Sequence, residues 1–153
     1  MSKVYALSGT RAAYLCGPMH QLAALVPWTP PWAVSLLAQL AAVRALEDPD
    51  YYAAKYAETR TLRTELVAGL RDMGIRDIVP GKANFVMFHL EAEHPTVAAL
   101  VKESREAGVF LRDISSMGTN LGSRALRIAV KDRRSNQIVL KTLEKVLCAA
   151  LQT

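Results

Sequence analysis

The stretch Ser2-Lys3-Val4-Tyr5-Ala6-Leu7-Ser8-Gly9-Thr10-Arg11-Ala12-Ala13-Tyr14-Leu15-Cys16-Gly17-Pro18 decides how this chain is read. Lys3 and Arg11 stand eight residues apart, joined by a bend of small residues, so both can turn toward one ligand. A lysine amine in a desolvated site has a lowered pKa and condenses with aldehydes. A guanidinium fork suits a phosphate dianion, and a serine hydroxyl beside it adds a further bond. On chemistry alone, a solvated lysine near a chain end explains Lys3 at least as well. Residues 4–10 read as a loop or tight bend, and 11–16 as a short strand ending at Gly17-Pro18.

Beyond this stretch the most informative feature is missing charge. From Ala12 to Val43 there is no Asp, Glu, Lys or Arg, and the first acid is Glu47. Pro27, Pro30 and Pro31 interrupt the run before it could span a bilayer. Arg11 breaks any apolar signal-peptide core that starts at Val4. Residues 12–43 are therefore either a buried element or a surface covered by another domain or subunit, and an uncharged stretch holding two tryptophans favours cover. A homo-oligomer formed through residues 12–43 is the expected assembly.

The 153 residues are 51% hydrophobic and 22% charged, with 7 Pro, 8 Gly and 2 Cys, which excludes disorder, a collagen-like repeat and a disulfide scaffold. A chain of this length buries about 70% of its unfolded surface, so its core needs no metal or cystine staple. Cys16 and Cys148 are too few for a framework and suit a reducing cytoplasm. The net charge of +5 is spread over alternating signs, as in Lys102-Glu103-Ser104-Arg105-Glu106, which marks solvated helix faces. No basic cluster is interleaved with aromatics, so neither nucleic acid nor a membrane is expected as a partner.

A short helix is expected at about 19–25, closed by Pro27, then an extended Trp28-Thr29-Pro30-Pro31-Trp32 segment. A helix over about 33–47 follows. Asp48-Pro49 is a start signal for the next, whose stripe runs Tyr52, Tyr56, Thr59, Leu62, Leu66, Leu70, Met73 before a Gly74 cap. At about 37 Å such a helix exceeds the radius of gyration of a chain this size (~15 Å) and reads as a bridge between parts. Strands are expected at 83–90, 109–112 and 125–130, with a loop at 115–123 and helices at about 95–107 and 133–151. The fold class is α/β, with an α+β second half of three strands and two covering helices.

His20, His89 and His94 share no ligand spacing with either cysteine, so no metal site is expected. His89 alternates with Phe85 and Met87 on one strand face and reads as a hydrogen-bonded structural histidine. Gly118-Thr119-Asn120-Leu121-Gly122 lacks the third glycine and the strand-turn-helix context of a dinucleotide fingerprint. In Ala125–Val130 the alternation puts Leu126, Ile128 and Val130 on one face and Arg127 on the other, between two alanines that leave room for a planar carboxylate.

The segment from Ser2 to Pro18 resembles the cofactor-lysine motif of class I/II aminotransferases, fold-type-I enzymes that use pyridoxal phosphate. The resemblance is to the branch holding histidinol-phosphate aminotransferase and threonine-phosphate decarboxylase. It continues through Trp32-Ala33-Val34-Ser35, Gln39-Leu40-Ala41, Ala83-Asn84-Phe85-Val86, Gly108-Val109-Phe110-Leu111-Arg112-Asp113 and Leu126-Arg127-Ile128-Ala129-Val130. It implies that Lys3 is the Schiff-base lysine and proton shuttle and that Ser2 and Arg11 bind the cofactor phosphate. It further implies that Arg127 takes the substrate α-carboxylate and that Arg112 reads the distal part of the substrate, a job open to Arg124 as well. Ala13 stands where the family often has Gly, and Thr10 where an aliphatic residue is usual.

The resemblance also implies a carboxy-terminal portion of such an enzyme. Residues 1–48 would be a remnant of the large domain, 49–74 the interdomain helix and 75–153 the small domain. The glycine-rich phosphate loop, the stacking aromatic and the Asp on the ring nitrogen would lie outside it, so the chain alone is expected to be inactive. The expected function is amino-group transfer from an amino acid to a 2-oxo acid. Phospho-amino-acid decarboxylation and a non-enzymatic self-associating or partner-binding role are the alternatives.

Overall fold

The computed structural model describes residues 1–119 and 121–150. They form two compact units, one of Met1–Lys55 and one from Tyr56 onward.

In the first unit, residues 1–11 wind through successive turns, and α1 (Met19–Leu25) continues into a 3₁₀ turn over Val26–Trp28. The segment expected to be extended from Trp28 thus starts as a tight turn, closed by the Thr29 N–H donating to the Val26 carbonyl at 3.1 Å. Residues 11–16 are not a strand. Arg11 has φ +56°, which turns the chain out of extended geometry, and no strand pairs with the segment. α2 (Leu36–Leu46) begins three residues later than its apolar spacing suggests, because the Ser35 hydroxyl accepts from the Ala38 N–H and caps it. Few of its side chains are buried. Met19, Trp28, Trp32, Leu36 and Leu37 are exposed, Trp32 to 95%.

α3 (Pro49–Asp72) opens on Asp48, whose carboxylate accepts from the Tyr51 N–H at 3.2 Å. It closes on Gly74 at φ +85°, where the Gly74 N–H reaches the Arg71 carbonyl and the Ile75 N–H reaches that of Leu70. α4 (Val97–Glu106) ends in the same way on Gly108 at φ +81°. A left-handed residue is what lets the last carbonyls of both helices find donors. α4 starts at Val97 because Thr96 caps it, and α5 (Arg133–Ala150) starts on Asp132. The end expected for α5 at Leu151 lies outside the described residues.

The sheet of the second unit has four antiparallel strands where three were expected. β1 (Ile78–Val79), β2 (Phe85–His89), β3 (Arg112–Asp113) and β4 (Ala125–Ala129) take the order β1-β2-β4-β3. β1 is a two-residue edge, too short to show a period, and it exists only through pairing with Met87 and Phe88. β3 is shorter than expected and displaced to 112–113, because only those residues pair with β4. One sheet face carries Val86, Phe88, Leu126 and Ile128, all buried, and the core adds Leu66, Leu70, Ile75, Leu100 and Leu143 from α3, α4, α5 and the turn after α3. Arg133 at the start of α5 forks onto Glu65 of α3 at 3.0 and 2.6 Å and holds that carboxyl below its usual range.

Candidate active site

Ser2 and Lys3 occupy a single turn, closed by the Tyr5 N–H donating to the Met1 carbonyl at 3.0 Å. Arg11 ends the next turn, in which the Thr10 hydroxyl donates to the Leu7 carbonyl at 2.9 Å and Arg11 Nη1 to that of Ser8 at 3.3 Å. Thr10 is therefore the residue that ties this turn. Lys3 and Arg11 are exposed and Ser2 is half-buried. The donor set nonetheless fits a phosphorylated aldehyde, with an accessible amine, a guanidinium using one nitrogen on a backbone carbonyl, a hydroxyl, and no carboxylate before Glu47 to compete.

The second unit carries the two other arginines, and the register makes them direct neighbours. Arg112 of β3 pairs with Arg127 of β4, so both side chains leave the sheet on the same face, away from the core. On that face Arg127 also pairs with Met87, and its Cζ lies 4.7 Å from the centre of the Phe85 ring. The ring face attracts the cation. Neither arginine has a carboxylate partner among the described residues. The nearest acid in sequence, Asp113, is turned the other way. Its Oδ1 accepts from the Ser115 hydroxyl at 2.6 Å and the Ser115 N–H at 2.8 Å, and these bonds hold its carboxyl below the ordinary aspartate value.

Two like charges directly opposite on a sheet repel, which leaves this face suited to an anion. Arg124 is not part of it. Its guanidinium donates to the carbonyls of Leu90 at 2.8 Å, Glu91, His94 at 2.7 Å and Pro95 at 3.3 Å, so it clamps the 90–95 turn and cannot stand in for Arg112. His89 is structural, since its Nε2 meets the Leu121 carbonyl at 2.8 Å and anchors the 115–123 loop to β2. Asp77 Oδ2 approaches the other ring nitrogen to 2.9 Å but off the direction a hydrogen bond needs. Phe85, whose ring holds the Arg127 cation, has no signal in the sequence beyond its place on an alternating face.

No three His, Cys, Asp or Glu side chains among the described residues are grouped to hold a metal ion, and no described helix is long and apolar enough to cross a membrane.

The pattern of the family described as aminotransferase class I and II matches residues 1–143. The chain is 34% identical over 144 residues to the histidinol-phosphate aminotransferase of Paracidovorax citrulli, covering 94% of this chain and 38% of that protein. It thus spans about two fifths of the length of the curated relatives it matches. Among solved structures, histidinol-phosphate aminotransferase from Sinorhizobium meliloti, in complex with pyridoxal-5'-phosphate, superposes with a TM-score of 0.85 at 22% identity. That match covers 97% of this chain and 40% of the other. L-threonine-O-3-phosphate decarboxylase from Porphyromonas gingivalis gives 0.77 at 24% identity, over 94% and 44%. At these identities the superpositions establish the shared fold, whereas the family pattern runs from the Lys3 turn through both arginine strands. The chain belongs to the class I and II aminotransferases.

Proposed function

We propose that this chain contributes the lysine-bearing and carboxylate-reading elements of a pyridoxal-phosphate-dependent aminotransferase, which moves an amino group from an amino acid to a 2-oxo acid. The observation that carries this reading is the pair Arg112–Arg127, set side by side on an open sheet face with no internal carboxylate. Arg127, steadied by Phe85, receives the substrate α-carboxylate through its planar fork. Arg112 reads a second anionic group farther along the substrate. In the first unit, Arg11 and Ser2 hold the cofactor phosphate. Lys3 Nζ takes the proton from the substrate α-carbon and returns it during transfer. Pyridoxal phosphate, when bound, supplies the aldehyde that takes up amines and a ring that delocalises charge from the α-carbon. Residues 1–48 belong on this reading to a large cofactor-binding domain, 49–74 to an interdomain helix and 75–153 to a small domain.

The test is to incubate the chain with pyridoxal phosphate, reduce with borohydride and map the adduct by peptide mass. Lys3 should be modified well ahead of Lys82, Lys102, Lys131 and Lys141, and equal labelling of all lysines would refute its assignment. Turnover of amino acids by the chain alone is expected to be absent, since it spans about two fifths of the length of its relatives. Decarboxylation of a phospho-amino acid would use the same lysine and arginines, and carbon dioxide release by an enzyme containing these elements would favour it.

A second reading rests on a different observation. Exposed Met19, Trp28, Trp32, Leu36 and Leu37 lie in a stretch without charge, and we infer that residues 12–43 are a self-association surface joining two copies. Sedimentation over a dilution series should show a concentration-dependent dimer, and a monomer at every concentration would exclude it.

A further inference from the structure

We propose that Tyr52, in the first turn of α3, is the positioning residue for Lys3. The inference rests on the reading of Lys3 as the cofactor lysine but stands on its own geometry within residues 1–55. Tyr52 meets Tyr5 edge-to-face, with ring centres 4.8 Å apart and planes at 81°. Its hydroxyl donates to the Tyr5 carbonyl at 3.4 Å, so one side chain grips both the ring and the backbone of residue 5. Tyr51 braces Tyr52 from the side in a second edge-on contact at 5.1 Å and 89°.

Tyr5 in turn closes the turn that carries Lys3, through its N–H to the Met1 carbonyl at 3.0 Å. The next residue, Ala6, sits at φ +54°, a conformation that a non-glycine residue leaves readily unless its neighbours hold it. Lys3 itself is exposed. The turn that carries it is closed through Tyr5, and the long-range hold on Tyr5 comes from Tyr52. A helix is a rigid mount for such a group, whereas an unanchored turn samples many orientations.

The test uses the whole chain, with pyridoxal phosphate and borohydride as the probe. The lysine nitrogen condenses with the aldehyde carbon and releases one water, and hydride then reduces the C=N bond to a stable secondary amine. Tyr52→Ala should slow labelling of Lys3 about tenfold, from loss of an aromatic pair and a hydrogen bond, while labelling of Lys82 and Lys102 stays unchanged. Tyr52→Phe keeps the ring and should recover most of the rate. Alongside, amide exchange at Tyr5 should accelerate in Tyr52→Ala, with the helical circular dichroism retained. Unchanged Lys3 labelling together with unchanged Tyr5 exchange overturns the proposal, as does a loss shared equally by all lysines. If the unaltered chain shows no preference for Lys3, the cofactor reading fails, and the exchange data alone decide whether Tyr52 holds the turn.

Discussion

Gly69 opens the last turn of α3, where glycine still costs up to about 1 kcal/mol relative to alanine through backbone entropy. Its retention has a visible cause. A Cβ added there would stand 2.5 Å from one Leu140 methyl, 2.9 Å from the other and 3.3 Å from Cγ, so α5 passes directly over this point. Gly69→Ala therefore combines a propensity gain of about 1 kcal/mol with an overpacking cost of about 1–3 kcal/mol, for a net loss of roughly 0–2 kcal/mol. Leu140→Ala removes Cγ and both methyls and, as a half-buried truncation, should cost about 1–2 kcal/mol alone. In that background Gly69→Ala meets nothing and should stabilise by about 1 kcal/mol. The sign of one substitution thus reverses with the other, a coupling of about 1–3 kcal/mol measurable by denaturant unfolding followed at 222 nm. Each kcal/mol corresponds to about 2–4 °C in Tm for a chain of this size. If Gly69→Ala stabilises equally in both backgrounds, the helices do not pack through this glycine and the reasoning fails.

Three further outcomes are expected. The Asp132 carboxylate accepts from the Ser135 hydroxyl at 2.6 Å and the Ser135 N–H at 2.9 Å, bonds that hold its pKa below the ordinary 3.8. A depressed carboxylate contributes stability above its unfolded pKa and loses it as pH falls through the folded value, so the first turn of α5 should fray in acid below 3.8. Asp132→Asn should flatten that response in amide shifts of residues 133–136. Ser104 is fully buried and its hydroxyl has no hydrogen-bond partner among the described residues, so Ser104→Ala should raise stability by about 1 kcal/mol in chemical denaturation. Ala6→Gly relieves the φ of +54° and should stabilise the Lys3 turn by up to about 1 kcal/mol after the entropy of glycine is subtracted, read as slower exchange at Tyr5.

How much was legible beforehand follows from the range of the forces involved. The stripe from Tyr52 to Met73, the Asp48 start and the Gly74 stop predict α3 to within two residues, because periodicity and capping act over a single turn. Arg127 was assigned to the face opposite Leu126 and Ile128 from alternation alone, and the burial agrees. By contrast, the segment 11–16 is apolar enough to read as a short strand, although its two alanines and its lack of β-branched residues argue weakly against one. The positive φ at Arg11 and the lack of a pairing edge decided otherwise.

The set of helices, the alternation of the two long strands and the family can all be read along the chain, since each depends on neighbours within a few residues or on motifs kept in order. It takes the folded chain to set Arg112 opposite Arg127, to spend Arg124 on the carbonyls of residues 90–95, and to bring Tyr52 onto Tyr5. These pairings join residues 15, about 30 and 47 positions apart, beyond the reach of periodicity and capping, which act within a turn or two.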